Sequence, residues 1–305
     1  MNVFIDNGST SSKSAYFDEN GDLVLTRTHN RCEFGIGYGE DDQDTFTTEN
    51  GSQFTFFHTA KTNPTNNIQY QTSDHCLAAI HYALHDLNLD VKEVNLYTTL
   101  PVSLFFNNGR KDQVQIEEVK TKFMQKVKRE DGSSVVIKSV NVLPEAIPAA
   151  QQFVLNQVEE DELTLVADVG GTTLDLCLFE GEATKIVKAG TEKIGMFDAF
   201  SNVRTSVGNK NLSDSVVFKL IETGEARNGK ITVDREEVTK EVISKAVVAI
   251  KSFLGDREKE VSNIIVLGGS CELLHNALKE EDFNVVMSKS KEFALVESIA
   301  ELVGA

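Results

Sequence analysis

The sequence has no tryptophan and only four prolines and four cysteines among its 305 residues. The cysteines stand far apart, which argues against a disulfide framework or a zinc site and fits buried residues in a reducing compartment. No stretch approaches the roughly 18 uninterrupted apolar residues of a membrane-spanning helix. The start, MNVFIDNGS, lacks the features of a signal peptide. These absences favour a cytoplasmic protein.

Basic residues are also scarce. The chain has 30 lysines and arginines against 47 acids, a formal net charge of -17. This charge favours solubility and argues against direct binding to nucleic acid or to an anionic membrane. The length suggests two domains of roughly 150 residues each.

Two stretches of the chain share one motif and align with each other. IDNGSTSSKSAYF (5–17) and ADVGGTTLDLCLF (167–179) align without a gap, and both read Asp, one residue, Gly, a small residue, Thr, then a strand. Each opens a series of strands followed by a helix. A repeat on this scale predicts two similar α/β lobes.

Alternation and helical spacing predict the remaining elements. Strands are expected over 2–5, 12–17, 23–26, 94–99, 135–142, 163–169, 174–179, 184–187, 261–267 and 283–287. Helices are expected over 73–87, 115–129, 271–278 and 291–303, from Asp234 to Gly255, and from the 143–148 segment to the acidic stretch 159–162. The polar region 28–72 predicts a small inserted subdomain or loops.

The glycine turns of the two stretches have features that suit anion binding. Without a Cβ in the way, their backbone N–H groups can surround an anion, and the hydroxyls of Ser9, Thr10, Thr172 and Thr173 add donors. A single copy is also explained by an ordinary tight β-turn. Two aligned copies favour a pair of phosphate-binding loops.

Charged residues flank both turns. Asp6 and Asp168 would repel phosphate unless a hard cation such as Mg²⁺ lies between them, and Lys13 could contact the phosphates as a point charge. The two loops therefore predict a site for a metal-bound polyphosphate.

A third motif, IIVLGGSCELL (264–274), predicts a strand that breaks at Gly268 and Gly269 before a helix. The glycines would let a flat ring or a ribose approach the backbone, and Glu272 lies in the first helical turn. Strand–Gly-Gly–helix junctions are common, so this motif indicates a binding site only in combination with the two loops.

Glu145 lies between Pro144 and Pro148, where a strand gives way to a helix. A carboxylate held there could orient water for attack on a γ-phosphate. The alternative is a glutamate that the helix dipole favours at an N-terminus.

The segments VFIDNGSTSSK, LPEAIPA, VADVGGTTLD and IVLGGS, in this order and spacing, resemble the actin-like ATPase superfamily. YTTLPVSLFF, VLPEAIPA, ADVGGTTLDL and VLGGSCELL resemble its plasmid-segregation branch, the ParM (StbA) family, over nearly the whole chain. Residues 28–72 and 180–230 do not match clearly.

The resemblance implies an α/β, actin-like fold in which two RNase H-like domains face a nucleotide cleft. The first would comprise 1–157 with the helix 291–305, including the 28–72 insert, and the second 158–290. It further implies an ATP hydrolase that polymerises into helical filaments on binding ATP and Mg²⁺ and disassembles after hydrolysis. Such proteins segregate plasmid DNA through a ParR-like adaptor bound to centromere DNA, without touching nucleic acid or membrane themselves. GTP in place of ATP remains open.

The resemblance also assigns roles to residues. Asp6 and Asp168 would organise the metal and its waters, and Glu145 would position the attacking water. The phosphates would contact Gly8, Ser9, Thr10, Lys13, Gly170, Gly171 and Thr172. Gly268 and Gly269 would border the adenosine, with Glu272 as a further nucleotide-binding residue.

Proteins with other functions also contain such phosphate-binding loops. A small sugar or carboxylate kinase of the same superfold would need an acceptor pocket with an aspartate base, and no second acid motif is evident. A seventy-kilodalton-type chaperone, a membrane-bound cell-shape actin and a non-catalytic nucleotide-binding adaptor fit less well. His81 and His85 have helical spacing that suits a metal but lack a second ligand pair. The basic residues between Lys120 and Arg129 predict a solvated helix face or a contact with an acidic neighbouring subunit.

Overall fold

The computed structural model describes residues 1–8, 10–36, 43–57, 68–89, 92–107, 109–155, 157–183, 185–288 and 290–304. The strands there are β1 (Asn2–Asn7), β2 (Ser11–Phe17), β3 (Leu23–His29), β4 (Cys32–Phe34), β5 (Gln43–Thr48), β6 (Gln53–Phe57), β7 (Glu93–Leu100), β8 (Phe106–Asn107), β9 (Arg110–Lys111), β10 (Val127–Arg129), β11 (Val136–Pro144), β12 (Leu163–Val169), β13 (Leu174–Glu180), β14 (Lys185–Glu192), β15 (Glu225–Ala226), β16 (Ile231–Thr232), β17 (Val261–Leu267) and β18 (Val285–Met287). The α-helices are α1 (Asp74–Asp86), α2 (Val102–Phe105), α3 (Gln113–Phe123), α4 (Ile147–Val154), α5 (Phe200–Val207), α6 (Asp214–Thr223), α7 (Arg235–Leu254), α8 (Cys271–Glu280) and α9 (Ala294–Gly304). Short 3₁₀ helices span Ile68–Thr72, Met196–Ala199, Gly255–Lys259 and Lys291–Phe293.

The chain divides into two compact units. Unit 1 comprises residues 1–100, 111–144 and 295–305, and unit 2 comprises 101–110 and 145–294. This division assigns residues 101–110, 145–157 and 291–294 to unit 2, whereas the sequence-based domains put them in the first domain.

Unit 1 contains a five-stranded sheet in the order β11-β7-β1-β2-β3. Its middle strand β1 pairs in parallel with β7 and antiparallel with β2. A second, four-stranded sheet in the order β10-β5-β6-β4 contains three strands of the 28–72 region, β4, β5 and β6, together with β10 from outside it. The region therefore contributes to a small sheet of its own.

Helix α1 packs against strands of both sheets of unit 1. Its N-terminus is capped by Ser73, whose side chain accepts a hydrogen bond from the backbone N–H of Cys76 at 3.1 Å. Every residue from His75 to Leu84 is buried, because the helix has sheet on more than one side. The predicted helix over 73–87 is confirmed.

Unit 2 repeats the topology of the first sheet. Its order is β14-β13-β12-β17-β18, and the middle strand β12 pairs in parallel with β17 and antiparallel with β13. Alternate residues of β12 and β13 enter a core with α5, α6, α7 and α8. The two matched sequence stretches therefore form the same hairpin of the same sheet topology.

Two predicted helices are shorter than expected. The 115–129 helix was wrong beyond Phe123: residues Val127–Arg129 form β10, which pairs antiparallel with β5. The helix after Glu145 ends at Val154 rather than in the acidic stretch. Glutamates at a helix C-terminus would face the negative end of the dipole, which favours the earlier end.

Helix α7 lies between the two predicted end residues, Asp234 and Gly255, and both cap it. The Asp234 side chain accepts from the backbone N–H of Glu237 at 3.2 Å, and Gly255 follows the last turn with φ +56°. Among the described residues, no helix has the length and apolar character to cross a membrane.

Candidate functional site

The loop of unit 1 begins at Asp6, near the end of β1, directly opposite Lys13 on β2. Lys13 Nζ lies 3.4 Å from Asp6 Oδ2, and the two side chains are 16% and 14% exposed. Thr99 on β7 donates from Oγ1 to Asp6 Oδ1 at 3.3 Å. Both oxygens of this carboxylate thus have a donor within unit 1.

Asn30 donates hydrogen bonds to the backbone of this loop at Gly8 and at Thr10. Its Nδ2 donates to the Gly8 carbonyl at 2.6 Å, and its backbone N–H donates to the Thr10 carbonyl at 3.2 Å. Asn30 is fully buried, and Ser12 Oγ donates to its Oδ1 at 3.1 Å. The sequence analysis missed this residue because it lies in the weakly patterned region. Ser9, a predicted phosphate contact, lies outside the described residues.

The second loop follows β12 in unit 2. Asp168 faces Asp175 across the β12–β13 ladder. The turn closes where the Gly170 N–H donates to the Thr173 carbonyl at 2.9 Å. The hairpin matches the first loop in position, but its charged residues differ.

The first residues of the Met196–Ala199 helix bind two carbonyl groups of the second loop. Met196 N–H donates to the Gly170 carbonyl at 3.2 Å, and Phe197 N–H donates to the Gly171 carbonyl at 2.8 Å. In a trans peptide the N–H points opposite to the C=O. The N–H groups of Gly171 and Thr172 therefore point away from the Met196–Ala199 helix, an arrangement suited to an anion.

Gly195 makes this contact possible. A Cβ on Gly195 would lie 2.3 Å from the Gly171 carbonyl oxygen, so any side chain would displace the loop. Sequence reasoning missed Gly195, because an isolated glycine in a polar stretch has no distinguishing pattern.

The turn after β17 packs against the end of β12. Gly268 has φ +94°, and a Cβ there would lie 2.3 Å from the Val169 carbonyl oxygen and 2.8 Å from Asp168 Oδ1. Burial, followed by the charge of Asp168, raises the pKa of the neighbouring Cys271 thiol to about 11. Asp168 and Gly268 therefore lie together, while exposed Gly269 has no atom within 4 Å of an added Cβ.

Glu272 lies in the first turn of α8 between two cations. Arg235 Nη1 is 3.7 Å and Lys291 Nζ 3.6 Å from Glu272 Oε2. The Arg235 guanidinium is anchored where Nε donates to the Ile221 carbonyl at 2.8 Å. Arg235 and Glu272 line a cavity of about 260 Å³ whose wall does not include Gly268 or Gly269. Neither cation was predicted, since both lie far from the motif in sequence.

Glu145 follows β11 and is 9% exposed. The next residue, Ala146, has φ +66° and ψ -39°, and Ile147 N–H donates back to the Glu145 carbonyl at 2.7 Å. This tight three-residue turn is a strained conformation for a residue other than glycine. Helix α4 starts directly after it, with proline in its first turn as predicted.

The histidine and lysine features have structural explanations. His81 is 3% exposed, its Nε2 has no hydrogen-bond partner, and burial lowers its pKa to about 4. Within the described ranges, no three histidine, cysteine or acidic side chains form a group that could hold a metal. In the basic segment, Lys120 pairs with Glu117, Lys122 with Asp74, and Arg129 with Asp44 and Asp131.

Solved structures share this fold over the whole chain. An archaeal actin homologue, Ta0583, in complex with ADP matches with a TM-score of 0.73 and 18% identity over 100% of this chain and 99% of that chain. A 15-stranded ParM filament from Clostridium botulinum matches with a TM-score of 0.70 and 17% identity over 99% of each chain. The actin-like protein Alp7A matches at 0.69 and 12% identity over 99% and 97%. The predicted actin-like α/β fold is confirmed.

Two family models together span almost the full length. The model "Plasmid segregation protein ParM, N-terminal" matches residues 1–156, and "Plasmid segregation protein ParM, C-terminal" matches residues 158–302. The chain therefore belongs to the ParM family of actin-like plasmid segregation proteins.

Proposed function

We propose that this protein is a cytoplasmic ATPase that assembles into filaments when it binds ATP with Mg²⁺ and disassembles after hydrolysis, and so segregates plasmid DNA. The duplicated Asp-x-Gly-x-Thr hairpin, present once in each unit at the same position of the same sheet topology, carries this proposal. Membership of the ParM family supports it, as do the ADP complex and the filament among its structural relatives.

The residues present fit a magnesium–nucleotide complex. Asp6 and Asp168 offer the hard oxygen atoms that Mg²⁺ prefers, directly or through water. When bound, Mg²⁺ neutralises charge on the phosphate oxygens. In this proposal Lys13, the Thr10 and Thr172 hydroxyls and the N–H groups of the loops bind the phosphates.

The nucleoside would lie beside Gly269, where nothing in unit 2 occupies the space that a Cβ would need. Gly268 would hold the turn against Asp168, and Glu272 would act from the adjoining helix. Arg235 and Lys291 both lie within ion-pair distance of the Glu272 carboxylate.

Glu145 would orient the attacking water. The strained turn at Ala146 and the start of α4 fix the backbone around it, and the side chain is largely buried. A positioned carboxylate that accepts a proton from water contributes about 10²–10⁴-fold in rate.

The cargo in this proposal is plasmid DNA, reached through a ParR-like adaptor bound at a centromere. The net charge of -17 supports an indirect link, since direct phosphate contacts need a basic surface.

The proposal is tested by following light scattering and phosphate release after addition of Mg·ATP to wild type, Glu145→Gln and Glu160→Gln. Wild type and the control Glu160→Gln, an exposed acid of the same unit, should show a transient rise in scattering. Glu145→Gln should show a lasting rise, with phosphate release about 10²–10⁴-fold slower.

Two results would contradict the proposal. Wild type that never assembles with ATP or GTP would exclude a filament-forming ATPase. Phosphate release that requires an added sugar or carboxylate acceptor would favour the kinase of the same superfold.

A further inference from the structure

The loop of unit 1 contacts an asparagine that lies outside its motif. Asn30 directly follows β3 and is fully buried. Its side-chain Nδ2 donates to the Gly8 carbonyl at 2.6 Å, and its backbone N–H donates to the Thr10 carbonyl at 3.2 Å. One residue, distant in sequence from the motif, therefore binds the loop backbone at two positions.

The orientation of the Asn30 amide follows from its partners. The Gly8 carbonyl can only accept, so the amide nitrogen must face it, and Oδ1 then accepts from Ser12 Oγ at 3.1 Å. The same nitrogen donates to the Tyr70 hydroxyl at 3.3 Å. The amide thus uses both of its N–H donors and its oxygen inside unit 1. Rotating it would break several buried hydrogen bonds, which is costly because buried polar groups would lose their partners.

The 3₁₀ helix Ile68–Thr72 contacts both asparagines around the loop. Tyr70 accepts from Asn30, and the Oε1 of its neighbour Gln71 accepts from the Nδ2 of Asn7, the last residue of β1 before the loop. Asn7 is fully buried, as Asn30 is. The chain on both sides of the loop is therefore joined to the same short helix.

Asn30 influences a bound anion through the loop rather than by contact. Both of its side-chain donors are already used, and its side chain is buried. Because the C=O and N–H of a trans peptide point in opposite directions, a fixed Thr10 carbonyl also fixes the N–H of Ser11, which points away from Asn30. Donors that are oriented before binding raise affinity, since they lose less freedom when the anion arrives.

We propose that Asn30, held by Tyr70, is a positioning residue that fixes the loop of unit 1 in the conformation that binds the phosphates of the nucleotide. The inference rests on the proposed function, which assigns phosphates to this loop. It gives the polar 28–72 region a role in the site, because that region supplies both Asn30 and the 3₁₀ helix.

The test compares the affinities of the full chain for ADP with Mg²⁺ and for adenosine, measured by equilibrium dialysis of the radiolabelled ligands. The ratio of the two affinities reports what the phosphates contribute, and ADP avoids turnover. Asn30→Leu keeps a side chain of similar size but removes both side-chain donors. It should lower the ratio about 10–100-fold, the range expected for losing one hydrogen bond to a charged group, and leave the affinity for adenosine unchanged. If the protein prefers guanine, GDP and guanosine take the place of these ligands.

Asn202→Leu is the matched control. Asn202 lies in α5 of unit 2, and its Nδ2 also donates to a backbone carbonyl, that of Val238, at 3.3 Å. This variant should keep the wild-type ratio even if its melting temperature falls. If Asn30→Leu instead loses affinity for ADP and for adenosine by the same factor, Asn30 has only a structural role and the inference is overturned.

Tyr70→Phe is a second variant that decides the question if Asn30→Leu does not fold. It removes only the hydroxyl that accepts from Asn30 Nδ2 and keeps the buried ring. The ratio of affinities should fall about 2–10-fold, as expected for the loss of one neutral hydrogen bond. An unchanged ratio in Tyr70→Phe would overturn the inference.

The two proposals fail in different ways. If wild type binds ADP with Mg²⁺ no more tightly than adenosine, the loops do not bind phosphates and the proposed function fails as well. If wild type prefers ADP and Asn30→Leu keeps that preference in full, only the present inference fails.

Discussion

Two adjacent glycines at the end of β17 have opposite surroundings. A Cβ on Gly268 would overlap the Val169 carbonyl at 2.3 Å on a backbone with φ +94°, whereas one on Gly269 meets nothing within 4 Å. We expect Gly268→Ala to lower the free energy of unfolding by at least ~2 kcal/mol. Gly269→Ala should change it by less than about 0.5 kcal/mol.

Nucleotide affinity gives a second measurement on the Gly269→Ala variant. If the nucleoside lies against Gly269, the extra methyl should weaken binding of a fluorescent ATP analogue about tenfold without loss of stability. Thermal unfolding and equilibrium titration of the same preparations measure both effects. Unchanged affinity in Gly269→Ala would place the nucleoside elsewhere.

Some residues of the site could be predicted and others could not. Asp6, Gly8 and Asp168 belong to a motif that is repeated, so each copy supports the other. Asn30 and Gly195 act through backbone contacts with loops that are distant in sequence. No local pattern marks such contacts, because the need for them arises only when the chain has folded.

Helix α1 makes the stability of unit 1 depend on pH. Burial lowers the pKa of both His75 and His81 to about 4, against about 6.5 in an unfolded chain. Between these values the unfolded state binds more protons than the folded state, so stability falls as pH drops from about 6.5 to about 4. Each histidine should contribute a loss of up to about 3 kcal/mol over this window.

His81→Leu should remove about half of this pH dependence. The imidazole Nε2 is buried without a hydrogen-bond partner, so an apolar side chain of similar size should also raise stability near pH 6. Urea unfolding at several pH values between 5 and 7.5 measures both effects. If the free energy of unfolding of the variant depends on pH as steeply as that of wild type, other groups titrate in this window.

Elements with a local signal were predicted well, and those determined by tertiary contacts were not. Helix α7 has a capping aspartate, apolar periodicity and a terminal glycine, and it begins and ends as predicted. The segment Val127–Arg129 continues the helical pattern of α3 but pairs with β5 instead. The backbone hydrogen bonds of that sheet outweigh helix propensity, and single-sequence patterns do not contain them.

At the scale of the molecule, the internal repeat was the most informative signal. It predicted two α/β units from an ungapped alignment of two 13-residue stretches, and both units have the same five-strand topology. The two copies differ in charge, because one loop aspartate faces a lysine and the other an aspartate. Sequence duplication therefore predicts the shared sheet topology, while the charges of the individual positions are specific to each copy.

The charge of the whole chain predicts how salt affects assembly. Copies with a net charge of -17 repel one another, and assembly must overcome this repulsion. Raising KCl from about 10 mM to about 100 mM shortens the screening length from about 30 Å to about 10 Å. We therefore expect the critical concentration for ATP-driven assembly, measured by sedimentation at constant Mg²⁺, to fall.

Salt also weakens attraction between opposite charges. The direction in which the critical concentration changes with KCl therefore shows whether repulsion or attraction dominates. A critical concentration that rises with KCl would mean that ion pairs between subunits outweigh the overall repulsion. In that case the exposed lysines of the basic segment, Lys126 and Lys128, become the first candidates for such contacts. A Lys126→Gln, Lys128→Gln double variant should then raise the critical concentration at low salt, where screening is weakest.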